Sequence, residues 1–259
     1  MQKAVFVFLI LSTLLGGAQT TDAAGKKQGY WKKKDEKTGK LIYEGEFKDD
    51  VPVGKFKYYY PNDSVRAIMH FRNGGKSAYA KLFHMGGRRM AEGKYVGKET
   101  KDSVWTYYDE TGTLISREKY VMGKKEGTSY VYFPDGTISE ERNFKNDLQD
   151  GPFKQYFDGK KLRSSGNYLK GNFEGRVCYY YPNGIEAGAG YYVNGQKNGP
   201  WIYKSSEGKI TEKELYIKGQ LAGKKETDEF FSKNKSTGSP QSQPKPAAPT
   251  ATKKTPKGK

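Results

Sequence analysis

Aromatic and polar residues alternate along most of this chain, and the alternation restarts at a fixed interval. One column carries the period: Phe47, Phe71, Tyr95, Tyr120, Phe144, Tyr168, Tyr192 and Tyr216, spaced 24 residues apart with a single interval of 25. Every member is aromatic. A second column opens each unit with Gly29, Gly54, Gly127, Gly151, Gly175 and Gly199, and with Ala78 and Ser103 in the two units that lack the glycine. A third column is a turn inside the unit: Tyr-Pro-Asn-Asp at 60–63, Asp-Glu-Thr-Gly at 109–112, Phe-Pro-Asp-Gly at 133–136, Tyr-Pro-Asn-Gly at 181–184 and Ser-Ser-Glu-Gly at 205–208.

Each unit parses as strand, turn, strand, turn. In residues 103–126, the stretch 104–108 is β-branched and aromatic, 109–112 is a turn, 114–121 is a second strand, and 123–126 leads into the next unit. Pro presets φ at the first central turn position, Asn or Asp tolerates the second, and Gly supplies a positive φ at the end. No helical stretch of the length a βαβ unit needs fits between the strands. A single hairpin cannot bury a face alone, so neighbours must stack. The prediction is an all-β fold: an elongated, single-layer antiparallel meander of about eight 24-residue β-hairpin repeats. At about 4.8 Å per strand the array is roughly 75 Å long.

Period-two alternation assigns faces. The second, fourth and sixth residues after the unit start (Phe56, Tyr58, Tyr60, Trp105, Tyr107, Val131, Phe133, Phe153, Phe157, Val177, Tyr179, Tyr181, Trp201 and Tyr203) form a predicted packed face. The column of eight joins them, as do Leu114, Ile138, Leu162 and Ile210. The fifth residue points the other way, yet it is also aromatic: Tyr59, Phe83, Tyr108, Tyr132, Tyr156 and Tyr180, until Lys204 ends the run. This second aromatic column is the candidate partner-binding feature. It fits cross-strand packing that stiffens an open sheet, and it fits a stacking ladder for a glycan, an extended peptide or a partner sheet.

The pattern Gly-x-(Trp/Phe/Val)-x-Tyr-Tyr-Tyr-Pro-Asn-Gly, clearest at 175–184 and again at Gly199-Pro-Trp201-Ile-Tyr203, resembles the MORN (membrane occupation and recognition nexus) repeat. The length and the Asn-Gly turn resemble the bacterial variant found in proteins labelled YwqK-family antitoxins. The resemblance covers about residues 29–223. It implies a β-hairpin array and a scaffolding, protein-contact or acidic-lipid role. Through the label it also implies an antitoxin or immunity-type inhibitor of a partner toxin. Residues 78–102 match least well, with His84 and Gly86-Gly87 where the turn belongs, so this third unit is the first place to expect a functional departure.

The ends read differently from the array. Residues 1–18 have Lys3, an apolar run over 4–15 and Gly-Gly-Ala at 16–18, the layout of a secretory signal peptide. The apolar run falls short of the roughly 20 residues of a membrane span, which leaves an uncleaved anchor as the lesser alternative. Residues 19–28 read as a linker. Residues 224–259 read as a Lys/Pro-rich disordered tail: from Ser232 onward there are seven Lys, five Pro and no acid. The expectation is an exported protein, periplasmic, cell-surface or extracellular.

Composition narrows the chemistry. Net charge is +17, hydrophobic residues make up only 34% and aromatics 14%. A basic surface suits anionic partners, a glycan or an acidic lipid headgroup, or serves to keep sheet edges apart. Nucleic acid is the least favoured, because an exported protein seldom meets it. The two histidines, His70 and His84, have no metal-ligand spacing, and the one cysteine, Cys178, cannot form an intrachain disulfide. Gly75-Lys76-Ser77 lacks the upstream glycine of a P-loop, with His70 in its place, and Gly188-x-Gly190 lacks the third glycine of a dinucleotide site. Glu118, Glu140, Glu141 and Glu214 are expected to pair with neighbouring Lys or Arg. No catalytic, metal or cofactor-binding residue is assigned, and the expected function is non-enzymatic binding or scaffolding for a protein, glycan or membrane-surface partner.

Overall fold

The computed structural model describes residues 19–234. The expected signal peptide, and the tail beyond 234, lie outside the described residues. Between them runs one antiparallel sheet of 21 strands, each paired with its neighbours in the chain. Some of the strands are only two residues long, such as Lys124–Lys125, and form the leading ends of the longer strands that follow. The meander of hairpins predicted from the period is therefore the observed architecture.

Two expected boundaries move. The segment 19–28 is not only a linker: Thr20–Thr21 pairs with Lys27 and Gln28, and Lys27–Lys34 is the first long strand. At the other end, Lys224–Lys233 is an α-helix where disorder was expected. Its sequence contains no Gly or Pro, and it places Glu226 in the first turn and Lys233 in the last, which suits the helix dipole. The prolines that motivated the disordered reading begin only at Pro240. The helix docks on the last long strand, Ile210–Ile217, where the Lys213 ammonium lies 5.1 Å from the centre of the Phe231 ring.

Two kinds of turn join the strands. Between units, pairs such as Asp49-Asp50, Met122-Gly123 and Asn194-Gly195 have positive φ at both residues, the type I′ geometry whose twist matches a hairpin. The link is tighter than expected, since Lys124 and Lys125 already belong to the next strand. Within units, the amide of Gly112 donates to Asp109 O and that of Asp109 to Thr113 O, a longer loop with one left-handed residue. The same pair of bonds recurs at Phe133–Thr137 and Tyr181–Ile185.

Bulges decide which side chains share a face. Glu44 faces Lys57 while Phe47 faces Pro52, so Val51–Tyr59 carries two more residues than its partner over that interval. The excess is accommodated at Gly54, with φ +62°. Unit three differs: Ser77–Phe83 pairs with Val65–Arg72 without any shift, and a four-residue turn over 73–76 replaces the bulge. A second bulge follows the fourth residue of each unit. It sets Leu114 opposite Tyr108, Ile138 opposite Tyr132, Leu162 opposite Tyr156 and Ile210 opposite Lys204. These four residues therefore lie with the tyrosine column and not on the packed face. Strict alternation misplaces them, because one extra residue reverses the parity.

The packed face centres on the second residue after each unit start. Phe56, Ala80, Trp105, Ser129, Phe153, Val177 and Trp201 are all buried. The column of eight packs edge-on against the larger of them, with Phe47 and Phe71 at 5.1 and 5.2 Å from Phe56, and Tyr192 at 5.3 Å from Trp201. A single sheet layer can bury such rings only if the neighbouring strand yields space. It does so at Gly45, Gly93 and Gly190, where a Cβ would overlap the rings of Phe56, Trp105 and Trp201. Each glycine stands two residues before the aromatic column. Where that position holds Met69 the partner is Ala80, and where it holds Glu118 the partner is Ser129. At the last strand the same position holds Glu214, and the helix follows.

Lysines fill out this face. Every Trp in the chain has a Lys four residues earlier whose ammonium lies over its ring: Lys27 on Trp31 at 5.2 Å, Lys101 on Trp105 at 5.1 Å, and Lys197 on Trp201 at 4.3 Å. Lys101 and Lys197 each also lie over two tyrosine rings, Tyr107 and Tyr120 or Tyr203 and Tyr216. Burial works against the Lys197 charge, but hydrogen bonds to the Tyr203 and Tyr216 hydroxyls outweigh it and raise its pKa. Lys125, over the Phe144 ring at 5.3 Å, is likewise part of the packing.

Candidate functional site: the tyrosine row

The six residues of the candidate column lie on the face opposite the packed rings. All are half-buried. They recur every second strand, about 10 Å apart at ordinary strand spacing, so they form one row along the sheet. Beside them runs a second row made of directly opposed residues: Lys32, Glu44, Lys57, Ile68, Lys81, Glu92, Thr106, Arg117, Tyr130, Glu141, Lys154, Ser165, Cys178, Ala189, Ile202 and Lys213. Charges of opposite sign dominate its first two thirds, and small or apolar residues occupy 165–202.

The two rows interlock. The hydroxyl of Tyr59 donates to Glu44 Oε1 at 2.5 Å, that of Tyr108 to Glu92 Oε1 at 3.2 Å, and that of Tyr156 to Glu141 Oε1 at 2.6 Å. Each acid lies three residues before the aromatic column, and its tyrosine belongs to the next unit, so every such bond staples two units. Partial burial and the hydrogen bond to Glu141 push the Tyr156 hydroxyl up to about 12. The Tyr59 hydrogen bond holds the Glu44 carboxyl below its usual value despite the opposing effect of burial. Where no acid stands in that register, the aromatic changes in kind or partner. Phe83, without a hydroxyl, corresponds to Ile68, and Tyr180 bonds to Ser165.

Tyr132 is the exception. Its register position is Arg117, whose guanidinium lies 6.0 Å from the Tyr132 ring centre. Among the described residues, Tyr132 has no hydrogen-bond partner for its hydroxyl, and Arg117 has no ion pair. An open cleft of about 490 Å³ lies between Tyr132 and Tyr156, lined also by Thr137, Ile138, Glu141 and Lys160.

The other singled-out residues have structural partners. Glu118 pairs with Lys125, Glu140 with Arg142, and Glu214 with Lys197. Glu141 departs from expectation by bonding a tyrosine and not a cation. A ring nitrogen of His84 lies 3.2 Å from Tyr108 O. It replaces the tyrosine that in other units donates to the next unit, as Tyr60 does to Phe83 O and Tyr181 to Lys204 O. The third unit, where a functional departure was expected, builds its core from small residues: Ala78, Ala80 and Ala91 are buried, the last two in one cluster with Trp105. Cys178 is buried in the apolar stretch of the row, and no group of three or more His, Cys, Asp or Glu among the described residues is placed to hold a metal. No helix among them is long and apolar enough to cross a membrane.

The sequence signals for the interlocked rows were present but distributed. Glu44, Glu92 and Glu141 keep a fixed offset from the aromatic column, and a Tyr follows 15 or 16 residues later in each case. The coupling shows only once the bulges fix the register.

Fold and site together define a β-hairpin repeat protein in which each unit shares a core with both neighbours. The family model described as "MORN repeat variant" matches two of its units, at residues 52–73 and 125–146. Both matches begin two residues before a unit start and end two residues after the aromatic column, so the family repeat is in phase with one hairpin. No curated protein matches the chain. A solved structure named "Crystal Structure of TarM" is similar at 8% identity with a TM-score of 0.21, over 44% of this chain and 18% of that one. A likeness that slight carries no argument, and the chain spans about a fifth of that protein.

Proposed function

We propose that this protein is a non-enzymatic, exported binding module that presents the tyrosine face of its repeat sheet to a partner in the cell envelope. The observation that carries the reading is the asymmetry of the sheet. One face is closed by its own aromatic rings and lysines. The other carries a regular row of half-buried aromatics that no second layer covers among the described residues, except where the helix docks at the end. A repeat that binds partners is what the MORN variant match supports. Export rests on the signal-peptide pattern of residues 1–18.

Co-sedimentation of the purified mature chain with isolated envelope fractions tests this. The protein is expected to be retained by at least one fraction, and the triple substitution Tyr108→Ala, Tyr132→Ala, Tyr156→Ala is expected to release it. Absence of retention by membranes, by envelope polymer and by envelope proteins alike would contradict the reading. So would retention that the triple variant leaves intact.

A further inference from the structure

The regularity of the tyrosine row isolates one place where it is broken. Tyr59, Tyr108 and Tyr156 give their hydroxyls to Glu44, Glu92 and Glu141, whereas Arg117 leaves Tyr132 with a donor and acceptor to spare. The cleft opens beside that residue, between two aromatic walls set two strands apart. The packed face departs from its pattern at the same seam. Glu118 and Ser129 replace the glycine and ring found at Gly93 and Trp105, and Ser129 Oγ is buried without a hydrogen-bond partner. The seam between two units is thus irregular on both faces within residues 117–132, and departures from a repeat's own rules concentrate at functional sites.

The lining selects the ligand. Tyr132 and Tyr156 offer flat aromatic faces, Ile138 an apolar edge, the Glu141 carboxylate an acceptor, and the Lys160 ammonium and Tyr132 hydroxyl donors. A pure hydrocarbon would bury the Lys160 ammonium without a partner and leave the Glu141 carboxylate with the Tyr156 hydroxyl alone. An anion would face Glu141, and a cation would face Lys160. A neutral ring with apolar C–H faces and a rim of hydroxyls, each both donor and acceptor, meets all of these groups at once. We propose that the Tyr132–Glu141–Tyr156 cleft binds a neutral hexopyranose unit of a glycan chain, with neighbouring members of the tyrosine row contacting further units. The proposal rests on the binding-module reading and narrows its partner class.

The test is titration of the mature chain with two neutral probes, cellohexaose and N-acetylchitohexaose, followed calorimetrically. The two probes distinguish plain from N-acetylated rings. At least one is expected to bind, and Tyr132→Ala and Tyr156→Ala are each expected to weaken that binding tenfold or more. Tyr132→Phe, which keeps the ring and removes the hydroxyl, is expected to weaken it by less. Tyr179→Ala, on the packed face, leaves it unchanged, and circular dichroism of every variant verifies that the sheet persists. Failure of both hexasaccharides to bind overturns the proposal, as does binding indifferent to Tyr132 and Tyr156. If neither sugar binds while the triple variant still loses its envelope fraction, the glycan assignment falls and the binding-module reading stands.

Discussion

Two neighbouring seams of the sheet occupy the same place in the repeat and are built in opposite ways. At the first, Gly93 gives up its side chain so that the Trp105 ring can lie across the adjacent strand, and Tyr95 and Lys101 close over it. At the second, Glu118 and Ser129 take those positions. Glu118 is held by Lys125 and Tyr120, while Ser129 Oγ is buried and unsatisfied. The bulge is the same at both, but the turn is not: three residues, 97–99, with a positive φ at Gly97 link the strands of the first, and the type I′ pair Met122-Gly123 links those of the second. Side-chain volume is exchanged across the seam: a glycine on one strand permits a large ring on the other, and a larger residue requires a small one. The first seam is the strong version and the second is the weak one. The cleft on the reverse face opens beyond that seam, from Tyr132 across to Tyr156.

The contrast can be broken from either side. Trp105→Ala leaves the Gly93 space empty and is expected to cost about 3–5 kcal/mol, read as a loss of the unfolding transition for the units around it. Gly93→Ala forces the ring out of its place and is expected to cost about 1–3 kcal/mol, with a matching change in near-ultraviolet circular dichroism from Trp105. The reverse experiment is Ser129→Ala at the weak seam. It removes a buried hydroxyl that has no partner, so it is expected to stabilise by about 1 kcal/mol, seen as a higher denaturant midpoint. A destabilised Ser129→Ala would show that the hydroxyl is satisfied in solution.

The smallest effect concerns the staples on the reverse face and depends on pH. The folded-state pKa of Glu44 lies below its ordinary value, chiefly through the Tyr59 hydrogen bond. Its contribution is therefore present above the unfolded carboxylate pKa and is lost as pH falls through the folded value. Tyr59→Phe should lower thermal stability at neutral pH, and the difference from wild type should shrink towards zero in acid. A difference that grows on acidification would contradict the assignment.

The hairpin array was legible because the aromatic column keeps its period over eight units and the turns carry Asn, Asp and Gly where positive φ is needed. The tyrosine column was legible as a column. What it bonds to was not, because the partner acids belong to a different unit and their register depends on two bulges, of which only the first is marked, by the unit-start glycine. For the same reason Leu114, Ile138, Leu162 and Ile210 were assigned to the wrong face. The third unit looked anomalous because it lacks the opening glycine and the usual turn, yet its longer turn removes the need for the bulge, and its alanines complete the Trp105 core. The weak seam was hidden for the converse reason: Gly127, Phe144 and the Phe-Pro-Asp-Gly turn all match the repeat, and the departures at Arg117, Glu118 and Ser129 fall outside those columns.

Native-state amide hydrogen exchange compares the two seams directly. The strands Arg89–Val96 and Thr100–Tyr108 frame the strong seam, and Leu114–Val121 and Gly127–Tyr132 frame the weak one. Antiparallel ladders with the same bulge offset span both, so differences in opening free energy away from the turns report the packing. The amides of Leu114–Val121 and Gly127–Tyr132 are expected to exchange faster than their counterparts one unit earlier, with Ser129→Ala slowing them. Equal protection at both seams, or greater protection at the second, would contradict the claim that this unit gives up core packing beside an open site.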